Sequence, residues 1–106
     1  MLNFVSWGSG SSGNCYFLYT ENEGLLIDAG VGVRTIKKYF REYGLKLSQI
    51  NNILITHDHA DHVKAVGALS IETGAKVWST KPVHIGIMKN FCVRKKVPED
   101  NISIIE

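Results

Sequence analysis

Apolar and polar positions change period along this chain, and each change marks a different kind of element. Residues 2–7 and 15–20 are short runs rich in aromatic and β-branched side chains, separated by Gly8-Ser9-Gly10-Ser11-Ser12-Gly13-Asn14, which is turn chemistry throughout. They predict two strands joined by a loop. Residues 24–29 add a third strand that carries Asp28, after a turn at Glu21-Asn22-Glu23-Gly24, so the chain opens as a β-meander. Beyond Gly30-Val31-Gly32 the period lengthens. Val33, Ile36, Phe40 and Tyr43 recur at helical spacing, with Arg34, Lys37, Lys38 and Arg41 on the other side and Gly44 as the stop. Ile53-Leu54-Ile55 is a continuous apolar triplet, the pattern of a strand buried on both faces.

The second half continues the alternation. Val63, Val66, Leu69 and Ile71 predict one helix over residues 61–72, closed by Gly74. Residues 76–79 read as a strand. Thr80-Lys81-Pro82 supplies an N-cap and an early proline for a helix over 82–91, and residues 102–105 form a last strand. Strands as a meander and then in alternation with helices define an α/β (α+β) arrangement, a sheet layered with helices.

Composition narrows this to one globular domain, residues 1–106, with 44% hydrophobic and 21% charged residues. The last strand reaches the end of the sequence with no helix after it, so the domain is expected to continue. An unfinished sheet bares an apolar face and an edge, which predicts pairing with a second copy, as a homodimer, or with the missing C-terminal half. The net charge is only +2, but residues 1–28 contain no Lys or Arg, and all twelve basic residues follow. That asymmetry permits an anionic partner without demanding one. Two cysteines, Cys15 and Cys92, make no disulfide framework and no CxxC pair. The N-terminus lacks a signal-peptide pattern, and no run approaches the roughly 18 apolar residues of a membrane span, so a cytoplasmic protein with no membrane partner is expected.

The candidate chemistry is concentrated in His57-Asp58-His59-Ala60-Asp61-His62, which holds three of the four histidines. His57 and His59 are two apart, so in extended backbone both imidazoles leave the same face and suit one metal ion. Asp61 and His62 follow where the chain turns into a helix, which aims them at a neighbouring point and suits a second. The bland alternative is a polar loop whose histidines only hydrogen-bond or titrate in solvent. His84 has no acidic or histidine neighbour at ligand spacing and reads as an ordinary surface or half-buried histidine.

The motif resembles the HxHxDH signature of the metallo-β-lactamase superfamily. Its approach fits as well: Ile53-Leu54-Ile55-Thr56-His57 is an apolar strand running into Thr-His, and Leu26-Ile27-Asp28-Ala29-Gly30 is an earlier strand ending in Asp before Gly. The start Ser9-Gly10-Ser11-Ser12-Gly13-Asn14-Cys15 is similar to that of the YycJ-like, or WalJ-like, branch, whose members are taken to be DNA-directed exonucleases.

The resemblance implies the N-terminal half of an αββα sandwich, a mixed sheet with helices on one face. It implies two divalent metal ions, zinc first and manganese or iron as alternatives. His57 and His59 would hold the first and Asp61 and His62 the second, with Asp61 counted as catalytic as well. Asp28 would lie behind the ligands and orient them, while Asp58 is not expected to be a ligand. The remaining ligands of such proteins come from a C-terminal half, so this chain alone is expected to bind metal weakly and to be inactive.

The expected activity is hydrolysis by a metal-activated water, with DNA phosphodiesters as substrate. Arg34, Lys37, Lys38 and Arg41, and the run Arg94-Lys95-Lys96, are candidate phosphate contacts, or equally a solvated surface. Two other readings stand beside this one: a thioester, lactone or lactam hydrolase of the same superfamily, and a catalytically inert half-domain. No GxSxG elbow nominates a covalent nucleophile, and the Gly/Ser loop lacks the GK[ST] ending of a nucleotide-binding loop.

Overall fold

A computed structural model describes residues 1–105. Six strands form one sheet in simple sequential order: β1 (Asn3–Gly8), β2 (Cys15–Tyr19), β3 (Gly24–Ala29), β4 (Asn52–Leu54), β5 (Lys76–Ser79) and β6 (Ile102–Ile104). The first three pair antiparallel and the rest parallel. Helix α1 (Val33–Glu42) crosses from β3 to β4, α2 (Ala60–Val63) and α3 (Val66–Thr73) from β4 to β5, and α4 (Lys81–Lys89) from β5 to β6. Successive parallel strands are added in one direction, and the connecting helices all contribute to the same core on one side of the sheet, as crossovers of one hand require.

The register shows what that side buries. Val5, Phe17, Leu26, Ile53, Val77 and Ile102 stand opposite one another across all six strands. They pack with Ile36, Phe40, Val63, Leu69 and Ile87 of the helices into one core. Trp7 joins it by stacking on Phe17 at 5.7 Å and on Tyr39 at 5.5 Å, which fastens α1 to the first hairpin. Each fully buried large side chain here stabilises the fold by about 1.5–3 kcal/mol. The neighbouring row, Tyr16, Ile27, Leu54 and Trp78, faces the other way and is only half-buried. Leu54 therefore departs from the expectation of a strand covered on both faces: Ile53 and Ile55 are buried, but the face that Leu54 occupies has no helix on it.

The helix expected over residues 61–72 is instead two. Continuing α2 would require the Ala65 N–H to reach the carbonyl of Asp61. That carbonyl already accepts the backbone N–H of Asn14 at 2.8 Å, and Ala65 donates to Ala29 at 2.8 Å. A tertiary contact has taken the acceptor, so the helix breaks at Lys64–Ala65 and restarts. Gly74 ends α3 in the left-handed conformation, as its position predicts. Thr80 is the N-cap residue of α4 but makes no side-chain cap bond, and α4 ends at Lys89, two residues short of Phe91. His84 is buried rather than superficial, its Nε2 2.9 Å from the Ser103 carbonyl, so it ties α4 to β6. Among the described residues no helix is long and apolar enough to cross a membrane.

Candidate metal centre

The His-rich motif occupies the corner between β4 and α2, and glycine makes that corner possible. A Cβ on Gly30 would overlap the Asp61 carbonyl and the His62 nitrogen, so only glycine at the end of β3 lets α2 lie this close. Asn14 closes the same corner from the loop side. Its backbone carbonyl accepts from Gly30 at 2.9 Å, and its amide donates to the carbonyls of Gly10 at 2.9 Å and Asp61 at 3.0 Å while Oδ1 accepts the Gly10 N–H at 3.0 Å. These contacts fix which end of the Asn14 amide is nitrogen.

Asp28 organises the interior of the site. It sits at φ +61°, a left-handed conformation that Asp tolerates better than most residues. Its side chain is 4% exposed, yet both oxygens are used. Oδ1 accepts the Thr56 backbone N–H at 2.8 Å, and Oδ2 lies 2.7 Å from the Thr56 hydroxyl and 2.8 Å from His62 Nδ1. The Thr56 hydroxyl also lies 2.9 Å from His57 Nδ1. One proton arrangement satisfies all of these contacts. Thr56 donates its single proton to Asp28 and accepts from His57 Nδ1–H, while His62 Nδ1–H donates to Asp28. In the neutral form of each ring Nε2 is then unprotonated. The Asn14 amide nitrogen lies 3.4 Å from His62 Nε2, with its two hydrogens directed to the carbonyls of Gly10 and Asp61.

The two rings are neighbours, their centroids 4.5 Å apart. Asp61 stands beside His62, its Oδ2 3.9 Å from His62 Nε2 and 3.5 Å from the Asn14 amide nitrogen. His59 stands away. It caps α2 by backbone position only, its ring is 6.0 Å from that of His57, and its side chain is 73% exposed with Nε2 3.8 Å from Asp58 Oδ1. Asp58 turns toward α4, packing where Gly86 has no side chain, and its carbonyl accepts from the Asn90 amide at 3.0 Å.

The structure thus brings together His57, His62, Asp61 and Asp28, and leaves His59 at the rim. Among the described residues, no three His, Cys, Asp or Glu side chains converge as a group that could hold a metal ion. In type the donors suit a borderline divalent cation, since imidazole nitrogen and carboxylate oxygen are the ligands zinc takes. Each of His57 and His62 also has Nδ1 anchored, which leaves Nε2 as the nitrogen available to an ion. Asn14 and Thr56 carry much of this order, though neither is prominent in the sequence beyond standing at the end of a Gly/Ser loop and just before His57. Cys15 lies behind the corner, where burial and the nearby Asp28 carboxylate push its thiol up to about 12, so it stays a neutral thiol.

Comparison with known proteins agrees with the fold. Residues 8–89 match the family model of the metallo-beta-lactamase superfamily. The exodeoxyribonuclease YycJ of Bacillus anthracis is 32% identical over 91 residues, which cover 80% of this chain and 34% of that protein. The exodeoxyribonuclease WalJ of Streptococcus pneumoniae serotype 2 (strain D39 / NCTC 7466) is 38% identical over 73 residues, 69% of this chain and 27% of that protein. A class B3 metallo-beta-lactamase with an active-site glutamic acid superposes with a TM-score of 0.78 at 21% identity, over 98% of this chain and 43% of that one. The chain belongs to the metallo-beta-lactamase superfamily. It spans about a third of the length of the YycJ relative and less of WalJ.

Proposed function

We propose that this chain carries the first half of the active site of a cytoplasmic, metal-dependent hydrolase that cleaves phosphodiester bonds in DNA. The observation that supports this most is the Asp28–Thr56 network, which engages Nδ1 of both His57 and His62 with their rings 4.5 Å apart and leaves Nε2 of His62 3.9 Å from the Asp61 carboxylate. His57 and His59 would hold one divalent ion, and Asp61 and His62 a second, with zinc favoured by the donor types and manganese or iron as alternatives. Such a pair of ions supplies an acidified water and charge stabilisation for a phosphoryl oxygen.

The chain's own residues have distinct tasks in this reading. Asp28 holds the ring of His62 and, through Thr56, that of His57, which fixes their tautomer and direction as ligands. Asn14 holds Asp61 at its backbone carbonyl, leaving the carboxylate to serve the ion and the reacting water. His59 has freedom to swing from the rim. DNA as the substrate draws its support from the two exodeoxyribonuclease relatives, which share the stretch that carries the motif.

In the protein that carries this chain, His59→Ala is expected to abolish digestion of DNA that depends on divalent metal and is lost with chelator. Digestion that survives the substitution would remove His59 from the site. The 106-residue chain by itself offers two ligands per ion, where ordinary zinc sites use three or four, so it is read as a weak metal binder.

A further inference from the structure

A second feature lies on the helical side of the sheet, on the far flank of α2. At roughly 100° per residue, Lys64 lies about 200° round the helix from His62, so it points away from the candidate metal centre. There it lines an open groove of about 750 Å³ between α1, α3 and the segment after α4. Arg34 and Lys37 enter from α1, and Arg94 and Lys95 from that segment, so five cations from three stretches of chain share one groove. The lone carboxylate there, Glu72 of α3, is engaged with Lys37 at 2.9 Å, across the groove from helix to helix. Gly67 makes the assembly possible, because a Cβ on it would overlap the Lys95 carbonyl. The segment therefore lies directly on α3 and brings its basic run to α1.

We infer that this groove binds the sugar-phosphate backbone of a nucleic acid at a distance from the metal centre, and so holds the strand being cut. The inference rests on the proposed nuclease function and adds to it a place where the substrate is gripped. Cations that face each other across a groove repel, and folding brings these together with one carboxylate to offset them; a bound polyanion removes that cost. The walls offer no aromatic ring for base stacking, so the contact is to phosphates and is indifferent to sequence.

The groove has a built-in reporter. Cys92 lines it and is half-buried, whereas Cys15 is fully buried. With chelator present to suppress hydrolysis, a 20-nucleotide single-stranded DNA of mixed sequence is expected to slow alkylation of Cys92 in the 106-residue chain at least fivefold. Fluorescence anisotropy with the same DNA should show Arg34→Ala/Arg94→Ala weakening binding at least tenfold. The slope of log K against log salt should become shallower by roughly 1.4, as two phosphate contacts to a single strand are lost. Lys38→Ala/Arg41→Ala removes the same charge from α1 outside the groove and should change affinity less than twofold.

Equal losses from both pairs, or Cys92 labelling unaffected by DNA, would overturn the groove. Protection given equally by millimolar inorganic phosphate would reassign it to a small anion and overturn it too. These outcomes are independent of the proposed activity. DNA held in the groove by a protein that never digests it would sink the nuclease reading and leave this one, and digestion undiminished in Arg34→Ala/Arg94→Ala with unchanged binding would do the reverse.

Discussion

His62 and His59 belong to the same six-residue motif, yet the fold treats them in opposite ways. His62 is 16% exposed, donates to a buried carboxylate and faces the Asn14 amide with its other nitrogen. His59 is 73% exposed and 3.8 Å from its nearest acid, a spacing that contributes little in solvent. One half of the candidate site is built by the protein's own hydrogen bonds, and the other half is left to be ordered by what binds. A histidine anchored on a carboxylate keeps its tautomer and direction without an ion, whereas a rim histidine loses rotamer freedom only on binding.

The comparison breaks most severely where the built half rests on backbone contact. Gly30→Ala would drive a methyl group into the Asp61 carbonyl, and neither strand nor helix can yield cheaply. The expected loss is about 3 kcal/mol or more in urea unfolding, with the motif corner displaced. A variant as stable as the parent would show that α2 does not depend on this close approach.

A smaller effect sharpens the same contrast. Asn14→Ala strips the amide that serves Gly10 and Asp61, with an expected cost of about 1–3 kcal/mol. His59→Ala should change stability by no more than about 0.5 kcal/mol, because its side chain is exposed and makes no buried contact. Equal costs for the two variants, measured by denaturant unfolding, would erase the distinction between a built half and a free half.

Much of this was legible before the structure. The spacing of His57, His59, Asp61 and His62 marked the corner, the strand–helix alternation predicted the layered sheet, and the resemblance singled out Asp28, which lies against Thr56 and His62. What escaped were contacts between residues far apart in sequence. Asn14 and Asp61 are separated by 47 positions and Thr56 and Asp28 by 28, so no local period reports them. The break between α2 and α3 escaped for the same reason, since the apolar pattern of 61–72 is that of one helix and the long-range bonds of Asn14 to the Asp61 carbonyl and of Ala65 to Ala29 divide it. Leu54 misled because three apolar residues in a row look alike whether one face of the sheet is covered or both. The basic residues of α1 and of 94–96 were visible separately, but that Arg34 and Arg94 share a groove follows from the packing of the 94–95 segment on Gly67.

The central claim is that His57 and His62 are held with Nδ1 protonated and Nε2 free, and nitrogen-detected long-range NMR correlations of the imidazoles read this directly. Well above the ordinary imidazole range of pH, in metal-free protein, both rings are expected to show the Nδ1–H form, while His59 shows the averaged pattern of a ring in solvent. Nε2–H protonation of His62, or tautomer averaging of His57 and His62 indistinguishable from that of His59, would contradict the account.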